Sequence, residues 1–144
     1  TLNEVLAGFA DEQFIVYRSR RDGVDGNLQY KLPSKEGFIA DLAAAKGVIA
    51  TAGFTLISES LYLGIPYLAL PTTGQFEQQL NAWQLEQSGF GVAAGRDLKS
   101  SVARFIDNIE SLRTAAADAP RNDGSALRSK VLELIATFVN RTRA

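Results

Sequence analysis

Gly53 follows a short apolar run, Val48 to Thr51, and precedes a stretch with helical spacing, Phe54 to Leu63. Strand, glycine and helix in that order leave the main-chain N–H groups of Phe54 and Thr55 free at the helix start. Those groups carry the positive end of the helix dipole, which favours an anion by roughly 0.3–1 kcal/mol, and more when partly buried. Gly53 is expected to let such a group approach closely, because a Cβ would intrude. Thr55, Ser58, Glu59 and Tyr62 fall on one helical face by three-and-four spacing. Thr55 then sits by the anion and Glu59 one turn further on. A carboxylate at that place accepts two hydrogen bonds from a vicinal diol such as ribose. The alternative for Glu59 is a solvated helix carboxylate.

A second polar group follows the next apolar run. Pro71 stops Tyr67 to Leu70, and Thr72-Thr73-Gly74 forms a loop. Glu77 and Gln78 then occupy the first turn of a helix, where an acceptor and an amide can read sugar hydroxyls. The alternative for Glu77 is compensation of the helix dipole. Asn81 and Trp83 lie further along, and Trp83 is expected in core or interface packing rather than as a stacking platform. Together the two clusters suit a phosphate, a ribose and a sugar held side by side.

Composition narrows the chemistry. The 144 residues fit one domain with a real core, and 46% of them are apolar. The net charge of −1 gives no footprint for nucleic acid and no basic face for anionic lipid. Histidine and cysteine are both absent. A His general base, a Ser-His-Asp triad, a disulfide framework and thiolate or imidazole metal sites are therefore excluded within these residues. No apolar run reaches the length of a membrane span and no signal peptide opens the sequence, so a cytoplasmic location is expected. Position 1 is Thr rather than Met, which suggests a piece of something longer.

Helix and strand alternate along the chain. Leu2 to Ala10 reads as a helix, Gln13 to Arg18 as a strand, Arg21 to Asn27 as a loop, and Leu28 to Leu32 as a strand stopped by Pro33. Ser34 caps a helix with Phe38, Ile39 and Leu42 on its apolar face, ended by Gly47. Val48 to Thr51 and Tyr67 to Leu70 are continuously apolar, as buried parallel strands are. Phe54 to Leu63 and Phe76 to Ser88 are helices. Gly91 to Ala94 is a strand and Leu98 to Leu112 a helix. Thr114 to Gly124 is a surface connection, and Ser125 caps a last helix, 125–140, striped by Leu127, Val131, Leu134 and Phe138. This order implies βαβ units: a Rossmann-like α/β domain with a parallel sheet and helices on both faces. A first strand is expected to be absent, because the chain opens on a helix. Ligands of such folds bind at the carboxyl ends of the strands. Gly89 to Ala94 satisfies G-x-G-x-x-G/A, but it follows a helix and leads into a strand, the reverse of a dinucleotide turn.

The order V-I-A-T-A-G-F-T-L-I-S-E-S, then G-I-P, L-P, Q-F-E-Q-Q-L-N-A and L-E-Q-S-G resembles the carboxyl-terminal domain of GT-B glycosyltransferases, and most of all the family 28 branch. The resemblance is strongest from Ala45 to Gly91. It implies that the turn at Gly53, Phe54 and Thr55 holds the donor diphosphate and that Glu59, with Ser58 beside it, holds the ribose diol. Glu77 and Gln78 contact the donor sugar, and the nucleobase lies against the loop from Leu32 through Ser34. Plant- and animal-type relatives carry a His two residues before the glycine. Thr51 stands there instead and supplies at most a hydroxyl.

The resemblance implies one half of a GT-B fold that binds a nucleotide sugar, UDP-linked, as substrate, with no further cofactor or metal. The acceptor site and the catalytic base belong to an amino-terminal domain absent from this sequence. Alone, these residues are expected to bind donor without transferring sugar, and to touch a membrane only peripherally through the other half. Two alternatives remain open: a non-catalytic donor-binding subunit needing a separate acceptor-binding partner, and a flavodoxin-like phosphate- or nucleotide-binding module.

Overall fold

A computed structural model describes residues 1–17, 20 and 22–118. Helix α1 (Leu2–Ala7) opens the chain with a capping box, in which Thr1 and Glu4 satisfy each other's main-chain N–H groups. It is shorter than the expected helix to Ala10. Asn27 explains where the chain turns, because its Nδ2 donates to the carbonyls of Leu6, Phe9 and Glu12 at 3.0, 2.8 and 3.1 Å. The expected last helix, 125–140, lies outside the described residues.

Among the described residues, six strands form two sheets. In the first, β1 (Phe14–Val16) pairs parallel with β3 (Leu28–Tyr30), and β2 (Gly23–Asp25) pairs antiparallel with β3. Strand β2 corrects the expectation of a loop from Arg21 to Asn27. Asp25 sits opposite Leu28, so Gly26-Asn27 is a two-residue hairpin turn, and Gly26 supplies the positive φ it needs, +60°. The second sheet is wholly parallel, in the order β4 (Val48–Thr51), β5 (Tyr67–Leu70), β6 (Gly91–Ala93).

The parallel sheet is covered on both faces, as its continuously apolar strands require. Tyr67 and Ala69 of β5 face one core with Ala52, Ile57, Ala82 and Leu85, from α3 (Phe54–Tyr62), α4 (Phe76–Gln87) and the turn between β4 and α3. Leu68 faces the other way, into a core with Val102 and Phe105 of α5 (Leu98–Asp107) and Leu6 of α1. Leu28 and Tyr30 of β3 enter that same core, so the mixed sheet shares it. The α/β architecture is therefore as the sequence predicts.

Further boundaries differ. Helix α2 (Lys35–Ala44) is capped by Ser34, whose Oγ accepts from the Gly37 N–H, but it ends at an extended Ala45 rather than at Gly47. Gly47 serves packing instead, since a Cβ there would lie 2.7 Å from the Phe105 ring. The single helix expected from Leu98 to Leu112 is two, α5 and α6 (Ile109–Asp118), broken where the Asn108 amide donates to the Arg104 carbonyl. The expected surface connection from Thr114 is still helical to Asp118. No helix among the described residues is long and apolar enough to cross a membrane.

Candidate functional site

The turn between β4 and α3 is built from buried main chain. Ala52 is wholly buried, and two side chains from elsewhere hold the carbonyls on either side of its α-carbon. The Tyr67 hydroxyl donates to the Thr51 carbonyl at 2.7 Å, and Asn81 Nδ2 donates to the Ala52 carbonyl at 3.0 Å. The Gly53 N–H donates to the Thr51 carbonyl at 2.8 Å. Burial pushes the Tyr67 phenol far above its ordinary value, so it is a permanent donor at neutral pH.

Gly53 is the N-cap of α3, with no side chain capping the helix. The N–H groups of the first turn therefore have no partner on this helix and carry the positive dipole end. A Cβ built on Gly53 meets no atom within 4 Å among the described residues, so no packing within them requires the glycine.

The residues around the turn separate. Thr51, Phe54, Thr55 and Glu59 are exposed. Ser58, expected on the same helical face as Thr55 and Glu59, is less exposed than they are. It is half-buried in a groove of about 270 Å³ between α3 and α4, with Phe54, Ile57, Leu61 and Asn81. Glu77 is exposed in the first turn of α4, an end that also lacks a side-chain cap. Gln78 is not free: its Oε1 accepts from the Thr72 N–H at 3.0 Å and its Nε2 donates to Gln75 Oε1. Trp83 is 57% exposed, so it does not pack in the core; interface packing, the other half of the expectation, agrees with that exposure.

The Leu32–Ser34 loop is built separately, after β3. Leu32 is 53% exposed, while Ser34 lines a cavity of about 400 Å³ with Tyr17, Pro33, Lys35 and Phe38. The Tyr17 and Phe38 rings meet edge to face at 5.2 Å. Tyr17 Oη and Lys31 Nζ both donate to Asp41 Oδ2, each at 2.6 Å. The Lys31 hydrogen bond, then the Tyr17 one, holds the Asp41 carboxyl below its ordinary range. In return the Asp41 hydrogen bond, with smaller contributions from burial and charge, pushes the Tyr17 phenol up to about 12.

Sequence reasoning assigned Asn81 and Tyr67 no role, yet they tie the turn after β4 to α4 and β5. Their partners lie 29 and 16 residues away, and no local pattern announces such bonds. The one signal for Asn81 is an amide among the apolar neighbours of a helix groove, a costly place for an unused donor.

An uncapped helix terminus at the carboxyl end of a parallel strand, β4, suits an anion, and known proteins share the frame around it. The chain matches the family described as Glycosyl transferase family 1 over residues 1–110. An uncharacterized glycosyltransferase of Methanosarcina acetivorans is 38% identical over 73 residues, which cover 51% of this chain and 19% of that protein. The glycotransferase of kitacinnamycin superimposes with a TM-score of 0.58 at 21% identity, covering 90% of this chain and 36% of that one. The glycosyltransferase SnogD from Streptomyces nogalater gives 0.55 at 18% identity, covering 89% and 38%. The spinosyn forosaminyltransferase SpnP gives 0.57 at 19% identity, covering 92% and 38%. The matches thus take in 19% to 38% of these relatives' lengths. At such identities the structural likenesses establish the fold, and the family match goes further. The family matched is family 1, whereas the ordered motif from Ala45 to Gly91 resembles the family 28 branch; the GT-B architecture is common to both. The chain therefore belongs to glycosyl transferase family 1, among the GT-B glycosyltransferases.

Proposed function

We propose that this chain is the carboxyl-terminal, donor-binding half of an inverting glycosyltransferase, and that its donor is a UDP-linked sugar. The observation that carries this reading is Gly53: an uncapped helix N-terminus whose missing side chain serves neither backbone conformation nor packing. A diphosphate placed there accepts from the first-turn N–H groups, among them those of Phe54 and Thr55. In the reaction the acceptor oxygen bonds to the sugar's anomeric carbon as the bond from that carbon to the phosphate oxygen breaks. The bonding pair leaves on the nucleoside diphosphate, and donors already aimed at that oxygen stabilise its growing charge. The acceptor's proton goes to a base in the amino-terminal half, so these residues alone bind donor without transferring sugar.

The remaining parts follow from position. Glu59, exposed one turn beyond Thr55, accepts from the ribose diol. The base lies against the Leu32–Ser34 loop, over the cavity lined by Tyr17 and Phe38. Glu77 is placed to accept from the sugar, and Gln78 contributes by shaping the Thr72–Gln75 loop.

Calorimetry with UDP, 2′-deoxy-UDP, TDP and FMN tests this reading. UDP should bind more tightly than 2′-deoxy-UDP. Glu59→Ala should weaken UDP roughly tenfold, the loss of about one hydrogen bond to a charged group, and erase that preference. Binding of FMN alone would sink the donor-site reading, and an unchanged UDP affinity in Glu59→Ala would remove Glu59 from the ribose.

A further inference from the structure

We infer that Asn81, assisted by Tyr67, is the positioning residue of the diphosphate turn, and that α4 thereby locks this turn to the loop after β5. The inference rests on the donor-site reading above and deepens it. The two carbonyls that precede Gly53 are both held from outside their own segment, Thr51 by the Tyr67 hydroxyl and Ala52 by Asn81 Nδ2. A peptide unit is planar, so holding the Ala52 carbonyl also fixes the direction of the Gly53 N–H. That N–H points inward to the Thr51 carbonyl. The main chain entering α3 is then set, and with it the aim of the free N–H groups that follow. Neither side chain needs to touch the ligand to do this.

One turn before Asn81 on the same helix, Gln78 takes the Thr72 N–H. Residues three apart share a helix face, so one face of α4 grips both strand-end loops. A shift of α4 moves the diphosphate turn and the sugar loop together. Preorganisation of this kind matters because small misplacements of binding groups are costly.

The test compares UDP with uridine, since only UDP reaches the turn. In Asn81→Leu, the UDP affinity should fall roughly tenfold while uridine, followed by NMR titration, changes less than about twofold. A merely structural role would lower the melting temperature and leave the ratio of the two affinities intact, and that result overturns the inference. If Asn81→Leu does not fold, Tyr67→Phe decides, because it deletes a single oxygen: UDP should weaken by about threefold or more with uridine unchanged, and wild-type affinity for UDP refutes the positioning. If the unmodified chain binds neither ligand, the donor-site reading fails. Amide exchange at Gly53 still reads the locked turn, since it should quicken at least about tenfold in either variant, and unchanged exchange refutes it.

Discussion

Replacing Gly53 by alanine separates what the α3 terminus needs to fold from what it needs to bind. Gly53 has φ −74° and ψ 131°, extended backbone open to any L-residue. A Cβ there meets nothing within 4 Å. Alanine is the poorer N-cap by about 0.5 kcal/mol, while losing a glycine narrows the unfolded ensemble and returns about 0.4–1 kcal/mol. The two nearly cancel, so the melting temperature should move by no more than about 3 °C.

Binding responds differently. An anionic oxygen accepting from a first-turn N–H sits about 2.7–3.1 Å from the nitrogen. A methyl carbon beside it keeps other heavy atoms about 3.5–4 Å away. The oxygen must retreat, and at least one hydrogen bond to a charged group, about 1.5–3 kcal/mol, is lost. UDP should therefore bind roughly 10- to 150-fold more weakly to Gly53→Ala, and more weakly again to Gly53→Val. Calorimetry and a thermal scan on the same samples measure both quantities. Equal UDP affinity at equal stability would mean that no anion approaches this turn. A loss of several degrees would mean that the glycine serves the fold after all.

Gly91 predicts the opposite split: its Cβ would lie 2.3 Å from the Tyr67 carbonyl oxygen and 2.8 Å from Leu85, so Gly91→Ala should cost about 2–3 kcal/mol in urea unfolding. The phenols give a further check by ultraviolet titration of the four tyrosines. Tyr17 should ionise near 12 and Tyr67 later still, and Asp41→Asn should bring Tyr17 back toward 10. Because the folded Tyr17 value is raised, its contribution to stability is complete below about 10 and is lost as pH climbs through about 12. Asp41, whose folded value is depressed, contributes above its unfolded value and loses that contribution as pH falls through the lower folded one.

What the sequence makes legible is what local chemistry decides. Tyr67–Leu70 lies between Pro66 and Pro71 and is a strand to the residue. Helices α3 and α4 stop just before Gly64 and Gly89, whose φ values of +71° and +76° only glycine adopts freely. Strand β2 escapes notice because Gly23, Val24 and Asp25 are all exposed and show no alternation, although Gly26-Asn27 is a recognised hairpin pair. The break at Asn108 escapes because the apolar stripe runs on from Phe105 to Ile109 and Leu112. Only the Asn108 side chain, bonding back to Arg104, marks the break. In the site, strand, glycine and helix were plain from Val48 to Phe54. The bonds of Asn81 and Tyr67 were not, because they depend on how distant segments pack. Trp83 is legible only in part: an aromatic on a helix reads as core or interface, and its exposure removes the core alone.

The glycines from Gly47 to Gly91 sharpen the case for the turn. Gly47 and Gly91 are required by what packs on them, and Gly64, Gly74 and Gly89 by positive φ. Each has its reason inside the chain. Gly53 has neither reason, and it stands where two carbonyls are pinned by side chains from β5 and α4. Two part-buried hydrogen bonds fix this turn and leave its outer side bare at an uncapped helix terminus, the arrangement a ligand-binding turn needs. The terminus offers N–H groups and a positive dipole end, which suit an anionic partner. On the donor-site reading proposed above, that anion is the donor's leaving group, which must be both held and released.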